Sequence, residues 1–162
     1  MEGKYFELED LADIIDRAKN DGKKVALANG GFDLLHIGHI RYLKASSEIA
    51  DILVVAINSD RSLRELKGQH RAEIDEKGRA KIIGSLRFVD YVTIFDERRV
   101  DKVLLTLKPD FQCKGTDYTA ETVPEKDVVR SYGGRVVIVG GSKIRSTSDI
   151  INDITLKKEI KK

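Results

Sequence analysis

The amino-acid sequence predicts an α/β domain built on a parallel β-sheet of about five strands, with helices on both faces. Strand-like and helix-like segments alternate along the whole chain, which is typical of a doubly wound sheet. The run ILVVAI (52–57) is apolar without alternation, as expected for a strand that is covered on both faces. The length of 162 residues and the hydrophobic content of 41% suit one domain, and we predict a single domain over residues 1–162.

The first half of the chain contains two strand–helix pairs after a leading helix. Apolar residues at helical spacing predict that this helix begins near Leu8 and ends at Asn20-Asp21-Gly22. The run VALA (25–28) predicts a buried strand that leads into Asn29-Gly30-Gly31. The other elements expected in this half are a helix over 38–50, the strand 52–57, and a loop or short helix over 61–71.

The second half of the chain continues the alternation. The expected elements are a helix over 76–86, a strand over 91–95, a helix over 97–107, a strand over 111–115, a helix over 125–132, a strand over 136–140 and a final helix beginning at 148–154. The pair Gly133-Gly134 is a C-terminal stop signal for the helix before it. In a Rossmann-like sheet of this kind, ligands bind at the carboxyl ends of the strands, near the point where the strand order reverses.

Composition and charge disfavour several classes of protein. The formal net charge of +2 is too small for a nucleic-acid-binding arm or a polybasic membrane anchor, so we expect neither nucleic acid nor membrane as a partner. The single cysteine, Cys113, cannot form an internal disulfide and fits a reducing compartment. The N-terminal MEGKYFELED lacks the apolar core of a signal peptide, and the longest apolar runs are strand-sized. We therefore expect a cytoplasmic protein.

The stretch GGFDLLHIGHIRYL (30–43) contains two of the three histidines, His36 and His39, on either side of Gly38. It follows the first predicted strand and enters a helix, where free N–H groups and the helix dipole favour an anion. The histidines are three residues apart and lie on one face of the first helical turn. Gly38 would allow a flat ring to approach the backbone closely. Imidazoles placed there can donate hydrogen bonds to phosphoryl oxygens and stabilise a phosphoryl-transfer transition state.

This phosphate interpretation has two alternatives on the residues alone. The usual phosphate-binding patterns, G-x-G-x-x-G and G-x-x-x-x-G-K-[ST], do not occur in the chain, so a different loop would have to bind the phosphates. The histidines could instead be structural, or they could form half of a zinc site with Asp33 as a third ligand. Spacing alone leaves the three interpretations open.

The stretch GFDLLHIGHIRYL resembles the signature of the HIGH-motif nucleotidylyltransferase superfamily, whose cytidylyltransferase-like branch carries an F-D-x-x-H-x-G-H pattern. Within that superfamily the chain is most similar to the nucleotidyltransferase domain of the ADP-heptose synthases, from about residue 7 to about residue 154. The segments that carry the resemblance are NGGFDLLHIGH, AINSDRSLRELKG (56–68), KGTDY (114–118), YGGRVVIV (132–139) and RSTSDII (145–151). KGTDY discriminates best, because glycerol-phosphate and choline-phosphate cytidylyltransferases usually differ there.

The resemblance implies an enzyme that transfers AMP from ATP to a sugar 1-phosphate and releases pyrophosphate. The implied acceptor is D-glycero-β-D-manno-heptose 1-phosphate, and the ADP-heptose product would serve lipopolysaccharide core synthesis. Mg²⁺ is the implied cofactor, held mainly by the phosphates and not by protein side chains. Related enzymes are often homodimers. Many are fused to a sugar kinase; we recognise no such domain here and expect a separate kinase to make the substrate.

The resemblance also implies roles for matching positions. His36 and His39 would bind the triphosphate and stabilise the transition state, with Lys67 near the α-phosphate and the sugar phosphate. Arg79, in an E-x-x-R segment, and Arg71 are implied in sugar-phosphate binding. The positions implied in nucleotide binding are Gly30, Gly31, Phe32, Asp33, Gly38, Lys114, Gly115, Asp117 and the helix-opening Ser146, Thr147 and Ser148.

The sequence departs from the ADP-heptose synthases at two places. Gly31 stands where those enzymes usually have cysteine, and we expect a small packing change without loss of chemistry. The segment HRAEIDEKGR (70–79) lacks their common R-P-I-N pattern. This second departure affects the expected substrate-side loop and the role of Arg71.

Other functions fit the same pattern. The nearest are a glycerol-3-phosphate cytidylyltransferase that uses CTP and an FMN adenylyltransferase. A tRNA synthetase fragment is disfavoured because the chain is too short for an anticodon domain and carries little net charge. A nucleotide-binding module without catalysis is the non-enzyme alternative; the presence of both histidines and Lys67 argues against it.

Overall fold

A computed structural model describes residues 3–68 and 72–141 of the chain. Its strands are β1 (Val25–Gly30), β2 (Ile52–Asn58), β3 (Tyr91–Phe95), β4 (Phe111–Lys114) and β5 (Arg135–Ile138). All neighbouring strands are parallel, and their order across the sheet is β3-β2-β1-β4-β5. The chain therefore winds to one side of β1 through β2 and β3 and to the other side through β4 and β5. The predicted doubly wound α/β fold is confirmed.

Helices connect the strands, as parallel pairing requires. They are α1 (Leu8–Asn20), α2 (Ile37–Ser47), α3 (Asp60–Lys67), α4 (Glu76–Gly84), α5 (Asp101–Leu107) and α6 (Lys126–Ser131). Within the described part of the chain, no helix is long and apolar enough to cross a membrane. The predicted helix at 148–154 lies outside the described residues.

Two apolar layers, one on each face of the sheet, form the core. Alternate residues of β1 show the division: Val25 and Leu27 join the layer that contains α1 and α5, whereas Ala26 and Ala28 join the layer of α2 and α4. This explains why the strand sequences are continuously apolar, since each face needs its own set of buried side chains. Burying a residue such as Leu27 stabilises the fold by roughly 1.5–3 kcal/mol.

The loop or short helix predicted for the charged segment 61–71 is a short helix in its described part, α3 (Asp60–Lys67), and Ser59 caps its N-terminus by accepting a hydrogen bond from the amide of Ser62. One helix boundary differs from the sequence prediction. Helix α5 begins at Asp101 and not at residue 97. The backbone carbonyl of Glu97 accepts the hydroxyl of Ser62 at 2.8 Å, which ties this segment to α3 before α5 can start.

Candidate functional site

The strand order reverses between β1 and β4, so a crevice is expected at the carboxyl ends of these two strands. β1 ends at Asn29-Gly30 and β4 ends at Lys114. The stretch with the paired histidines leaves β1 at this edge and enters α2. The fold therefore places the predicted phosphate-binding segment and KGTDY side by side, although they are far apart in the sequence.

The turn after β1 is strained at Phe32. This residue has a positive φ of 48°, a conformation that is uncommon for a bulky side chain and costs of the order of 1–3 kcal/mol. Its ring is buried and meets the imidazole of His39 edge-on, with centroids 5.1 Å apart. A Cβ on Gly30 would lie 3.2 Å from the Phe32 ring, so the glycine leaves room for this packing. Phe32 therefore packs against the imidazole of His39 and helps to hold it in place.

His36 caps the N-terminus of α2 with its side chain. Its Nδ1 accepts a hydrogen bond from the amide of Gly38 at 3.1 Å. The imidazole of His36 stacks on that of His39, with centroids 3.8 Å apart and 24° between the ring planes. The two rings therefore form one unit at the start of the helix, as the spacing predicted.

The pKa of His39 is lowered to about 4, chiefly by burial and to a smaller extent by the electrostatic effects of His36 and Lys67. A hydrogen-bonding contact with the Leu34 backbone opposes the shift. His39 is consequently neutral at pH 7 and can approach a phosphate only as a neutral donor. The effect of Lys67 on this pKa also shows that the structure brings Lys67, at the end of α3, close to the histidine pair.

Asp33 anchors the segment that follows Arg71. Its carboxylate is almost fully buried and accepts hydrogen bonds from the amides of Glu73 (2.9 Å) and Ala72 (3.3 Å). Both carboxylate oxygens accept hydrogen bonds from backbone amides, which accounts for the burial of Asp33. Within residues 3–68 and 72–141 no group of three or more His, Cys, Asp or Glu side chains is placed to hold a metal ion. The structure gives Asp33 a role in shaping the site.

Arg79 differs from the expected sugar-phosphate ligand, because its side chain is completely buried, with 0% exposed. The guanidinium donates to the carbonyls of Gly31 (2.5 Å) and Asn58 (2.8 Å). Gly31 directly follows β1, and Asn58 is the last residue of β2. It also pairs with Asp60 at 2.6 Å and donates to the carbonyl of Ile74 at 3.0 Å. Through these contacts Arg79 ties two strand ends to α3 and α4, and its expected part in sugar-phosphate binding stays a prediction.

Gly31 is packed tightly against α3. A Cβ at this position would lie only 2.6 Å from Cδ1 of Leu63, which is buried. The cysteine usual in the ADP-heptose synthases would therefore require Leu63 to move. Leu63 is therefore the neighbour that the expected small packing change would displace.

The KGTDY segment lies at the other side of the crevice. Lys114 ends β4 with its side chain buried, and Gly115 and Asp117 follow in an irregular, mostly exposed loop. The ammonium of Lys114 lies 5.6 Å from the centre of the Tyr118 ring. Four predicted site residues, Arg71, Ser146, Thr147 and Ser148, lie outside the described residues.

Sequence reasoning missed a polar connection inside the sheet. Gln112 of β4 is buried and donates from its side-chain amide to Oδ1 of Asn29 at 2.8 Å, across the point where the strand order reverses. Tyr42 of α2 donates its hydroxyl to the carbonyl of Cys113 at 2.8 Å. The available signal was a glutamine within an apolar strand, since buried polar side chains need partners. These hydrogen bonds connect β1 and α2 to β4 close to the crevice.

Comparison with known proteins agrees with this geometry. Residues 27–159 match the cytidylyltransferase-like family. The chain belongs to this family. The resemblance recognised in the stretch 30–43 is thereby confirmed, and the match extends over most of the chain.

Curated relatives are similar over nearly the whole chain. Bifunctional protein HldE of Geobacter metallireducens is 49% identical over 153 residues, which are 94% of this chain and 31% of that protein. Bifunctional protein HldE of Syntrophotalea carbinolica is 47% identical over 146 residues, which are 90% of this chain and 30% of that protein. The chain thus spans about a third of the length of these relatives.

Solved structures are similar as well. The lipopolysaccharide core biosynthesis protein of Thermoplasma volcanium is 30% identical, with a TM-score of 0.64, over 76% of this chain and all of that one. A pantoate–β-alanine ligase of Francisella tularensis is only 12% identical, with a TM-score of 0.63, over 98% of this chain and 79% of that one. The second likeness supports the fold alone.

Proposed function

We propose that this protein is a nucleotidylyltransferase that transfers AMP from ATP to a sugar 1-phosphate and releases pyrophosphate. The observation that carries the proposal is the stacked pair His36–His39 at the start of α2, beside Lys67 and at the carboxyl end of β1. A helix N-terminus, two imidazoles and a lysine together form a site for a polyphosphate. The family match supports this class of reaction.

The acceptor that we propose is D-glycero-β-D-manno-heptose 1-phosphate, with ADP-heptose as the product. Two findings support it: the identity of 42–49% to proteins named HldE, and the likeness to a lipopolysaccharide core biosynthesis protein. The KGTDY segment, whose lysine ends β4 inside the crevice, supports it over a glycerol phosphate. We place the activity in the supply of lipopolysaccharide core precursors.

The reaction needs charge compensation more than proton transfer. The second pKa of a phosphate monoester is about 6, so the attacking oxygen is already largely deprotonated at neutral pH. The obstacle is the approach of one anion to another and the charge that develops on the leaving pyrophosphate. A site that positions both groups and supplies donors meets this need without a general base.

The residues of the site divide this work. The neutral His39 can donate a hydrogen bond to a phosphoryl oxygen without adding a charge of its own, and His36 offers Nε2 because Nδ1 is used by Gly38. Lys67 supplies positive charge beside them. Phe32 and Arg79 fix the backbone that carries the histidines, and so keep the donors in place before the substrates arrive.

Mg²⁺ fits this site as an ion held mainly by substrate oxygens. It prefers oxygen ligands and commonly binds through phosphates with few protein contacts. Asp33, the buried carboxylate in the stretch that carries the histidines, already accepts hydrogen bonds from two backbone amides. When bound, Mg²⁺ would neutralise charge on the triphosphate.

Pyrophosphate release tests the proposal. The chain is incubated with Mg²⁺ and ATP, CTP or GTP, each with heptose 1-phosphate, glycerol 3-phosphate or FMN. We expect release with ATP and heptose 1-phosphate. Release only with CTP and glycerol 3-phosphate, or only with FMN, would overturn the acceptor and keep the reaction class. No release in any combination, from protein that binds ATP, would leave a nucleotide-binding module.

A further inference from the structure

A buried ion pair closes the loop after β4. Nζ of Lys114 lies 3.2 Å from Oε2 of Glu125, and the two residues are only 8% and 6% exposed. Lys114 is the last residue of β4, and Glu125 is the residue before α6. The resemblance to the nucleotidylyltransferases assigned no role to Glu125, and the proposed mechanism does not use it.

This pair is not explained by stability. Removing two charges from water costs several kcal/mol per ion, and only good geometry with further hydrogen bonds offsets that cost. Here Oε2 of Glu125 has no hydrogen-bond partner in the described part of the chain, so its attraction to Lys114 rests on charge alone. Apolar side chains of the same volume would serve a purely structural purpose at least as well.

The backbone holds both partners firmly. The carbonyl of Lys114 accepts the amide of Val139, which follows β5, at 2.8 Å, and the carbonyl of Glu125 accepts the amide of Val129 at 3.0 Å. Between these two fixed points lies the mostly exposed loop 115–124, which contains Gly115 and Asp117. The ion pair joins the two ends of this loop, in addition to the turns within the loop and the burial of Val123.

The ammonium of Lys114 faces a place where an anion is expected. It lies at the carboxyl end of β4, beside the reversal of strand order. An ammonium has three donors, more than a single carboxylate oxygen at 3.2 Å can use. Glu125 can thus hold the ammonium in place by its charge while leaving donors for a ligand.

We propose that Glu125 is a positioning residue for nucleotide binding: it holds Lys114 and the loop 115–124 in the arrangement that receives the nucleotide. The identity of the ligand in this inference rests on the proposed function, whereas the part played by Glu125 in holding the loop rests on the geometry. Glu125 touches no substrate in this scheme and acts only through Lys114.

The test compares Glu125→Gln, Lys114→Met and the double variant Lys114→Met/Glu125→Leu with the parent chain. Glu121→Gln is the matched control, because Glu121 lies in the same loop but forms exposed ion pairs with Lys126 and Arg130. Each protein is measured for KM and kcat, for ATP affinity by calorimetry, for its urea unfolding midpoint, and for hydrogen exchange of the loop peptide.

We expect Glu125→Gln to raise both KM and the dissociation constant for ATP about tenfold with kcat nearly unchanged, since ground-state positioning is lost. Loop exchange should become faster, and Glu121→Gln should match the parent. The double variant should recover the unfolding midpoint but not the ATP affinity, because an apolar pair restores packing without the charge.

Two results would overturn the inference. One is Glu125→Gln with parental ATP affinity and loop exchange. The other is a double variant that recovers ATP affinity together with stability, which would make the pair structural only. Absence of turnover in the parent would count against the proposed function, whereas ATP affinity and loop exchange would still decide the role of Glu125.

Discussion

Nδ1 of His36 accepts the amide of Gly38 at 3.1 Å, so one side chain is both the cap of α2 and a candidate phosphate ligand. The capping bond consumes Nδ1 as an acceptor and leaves Nε2–H as the donor of the neutral ring. The helix thereby selects the tautomer that can face a phosphate. Capping and catalysis at this position can be separated by mutation.

His36→Asn separates them, because asparagine retains a capping oxygen but does not place a donor where Nε2 lies. We expect both His36→Asn and His36→Ala to lower kcat by about 10²–10³, the usual cost of losing one preorganised donor. Only the alanine variant should also lose about 1 kcal/mol of unfolding free energy, through the missing cap. Single-turnover rates and urea unfolding measure the two effects. Near-parental turnover in His36→Asn would remove His36 from the chemistry.

The low pKa of His39 links protein stability to pH. In the unfolded chain its pKa is about 6.5, and burial lowers it to about 4 in the folded protein. The folded state therefore favours the neutral ring. This stabilisation is complete well above pH 6.5 and is lost as the pH falls from 6.5 to 4, which amounts to about 3 kcal/mol of unfolding free energy.

NMR titration of the His39 imidazole and urea unfolding between pH 4 and 7 measure this effect. We expect His39→Gln to flatten the loss of stability over that range. Saturation with the nucleotide should raise the pKa of His39, because a nearby anion favours the protonated ring. A pKa near 6.5 in the free protein would contradict the buried, neutral donor. His39→Gln should also slow turnover about 10²–10³-fold by loss of a preorganised donor.

The fold could be predicted from the sequence because each element has its own local signal. Continuous apolar strands, helical spacing and glycine stops act over short distances, and the five strands appear where these patterns placed them. The helix start around His36 and His39 was also predictable, because a strand end followed by a helix fixes the place of the residues between. The exact start of α5 was not, because the sequence pattern does not show that the carbonyl of Glu97 accepts the hydroxyl of Ser62 on α3.

The roles of charged residues were less accessible. Sequence alone cannot show whether an arginine is exposed or buried: the motif of Arg79 indicates a phosphate ligand, whereas the structure buries its guanidinium among backbone carbonyls and beside Asp60. The Lys114–Glu125 pair joins the last residue of β4 to the residue before α6. Such pairings are set by tertiary packing and leave no periodic signal in the chain.

Gly31→Cys tests the packing at the family's usual cysteine position. The new side chain would collide with Leu63, and overpacking of this kind typically costs 1–3 kcal/mol, so we expect a loss of about 1–3 kcal/mol of unfolding free energy. Turnover should stay within about threefold, because the substitution leaves the backbone N–H at position 31 in place.

Urea unfolding of Gly31→Cys, Leu63→Val and the double variant provides the control. The smaller valine should relieve the collision, so the double variant should lose less stability than the sum of the single variants. Additive losses would show that Leu63 is not the neighbour that limits this position.

Arg79→Met distinguishes an internal tie from a substrate ligand. Removing the guanidinium leaves the buried carbonyls of Gly31 and Asn58 without this donor, and each such loss costs roughly 1–3 kcal/mol. Breaking the ion pair with Asp60 adds to the loss, so we expect at least about 3 kcal/mol in total. A direct sugar-phosphate ligand would instead raise KM for the acceptor and leave stability unchanged.

Arg61→Met is the matched control for this prediction. Arg61 also pairs with an aspartate, Asp96, but both side chains are exposed, so its loss should cost less than about 1 kcal/mol. Arg79→Lys should recover only part of the stability, because an ammonium cannot reproduce the planar fork of donors that spans both strand ends. Urea unfolding and the KM for each substrate, measured on all three variants, show whether Arg79 stabilises the fold or binds the acceptor. A selective rise in the acceptor KM with parental stability in Arg79→Met would restore Arg79 to the substrate site.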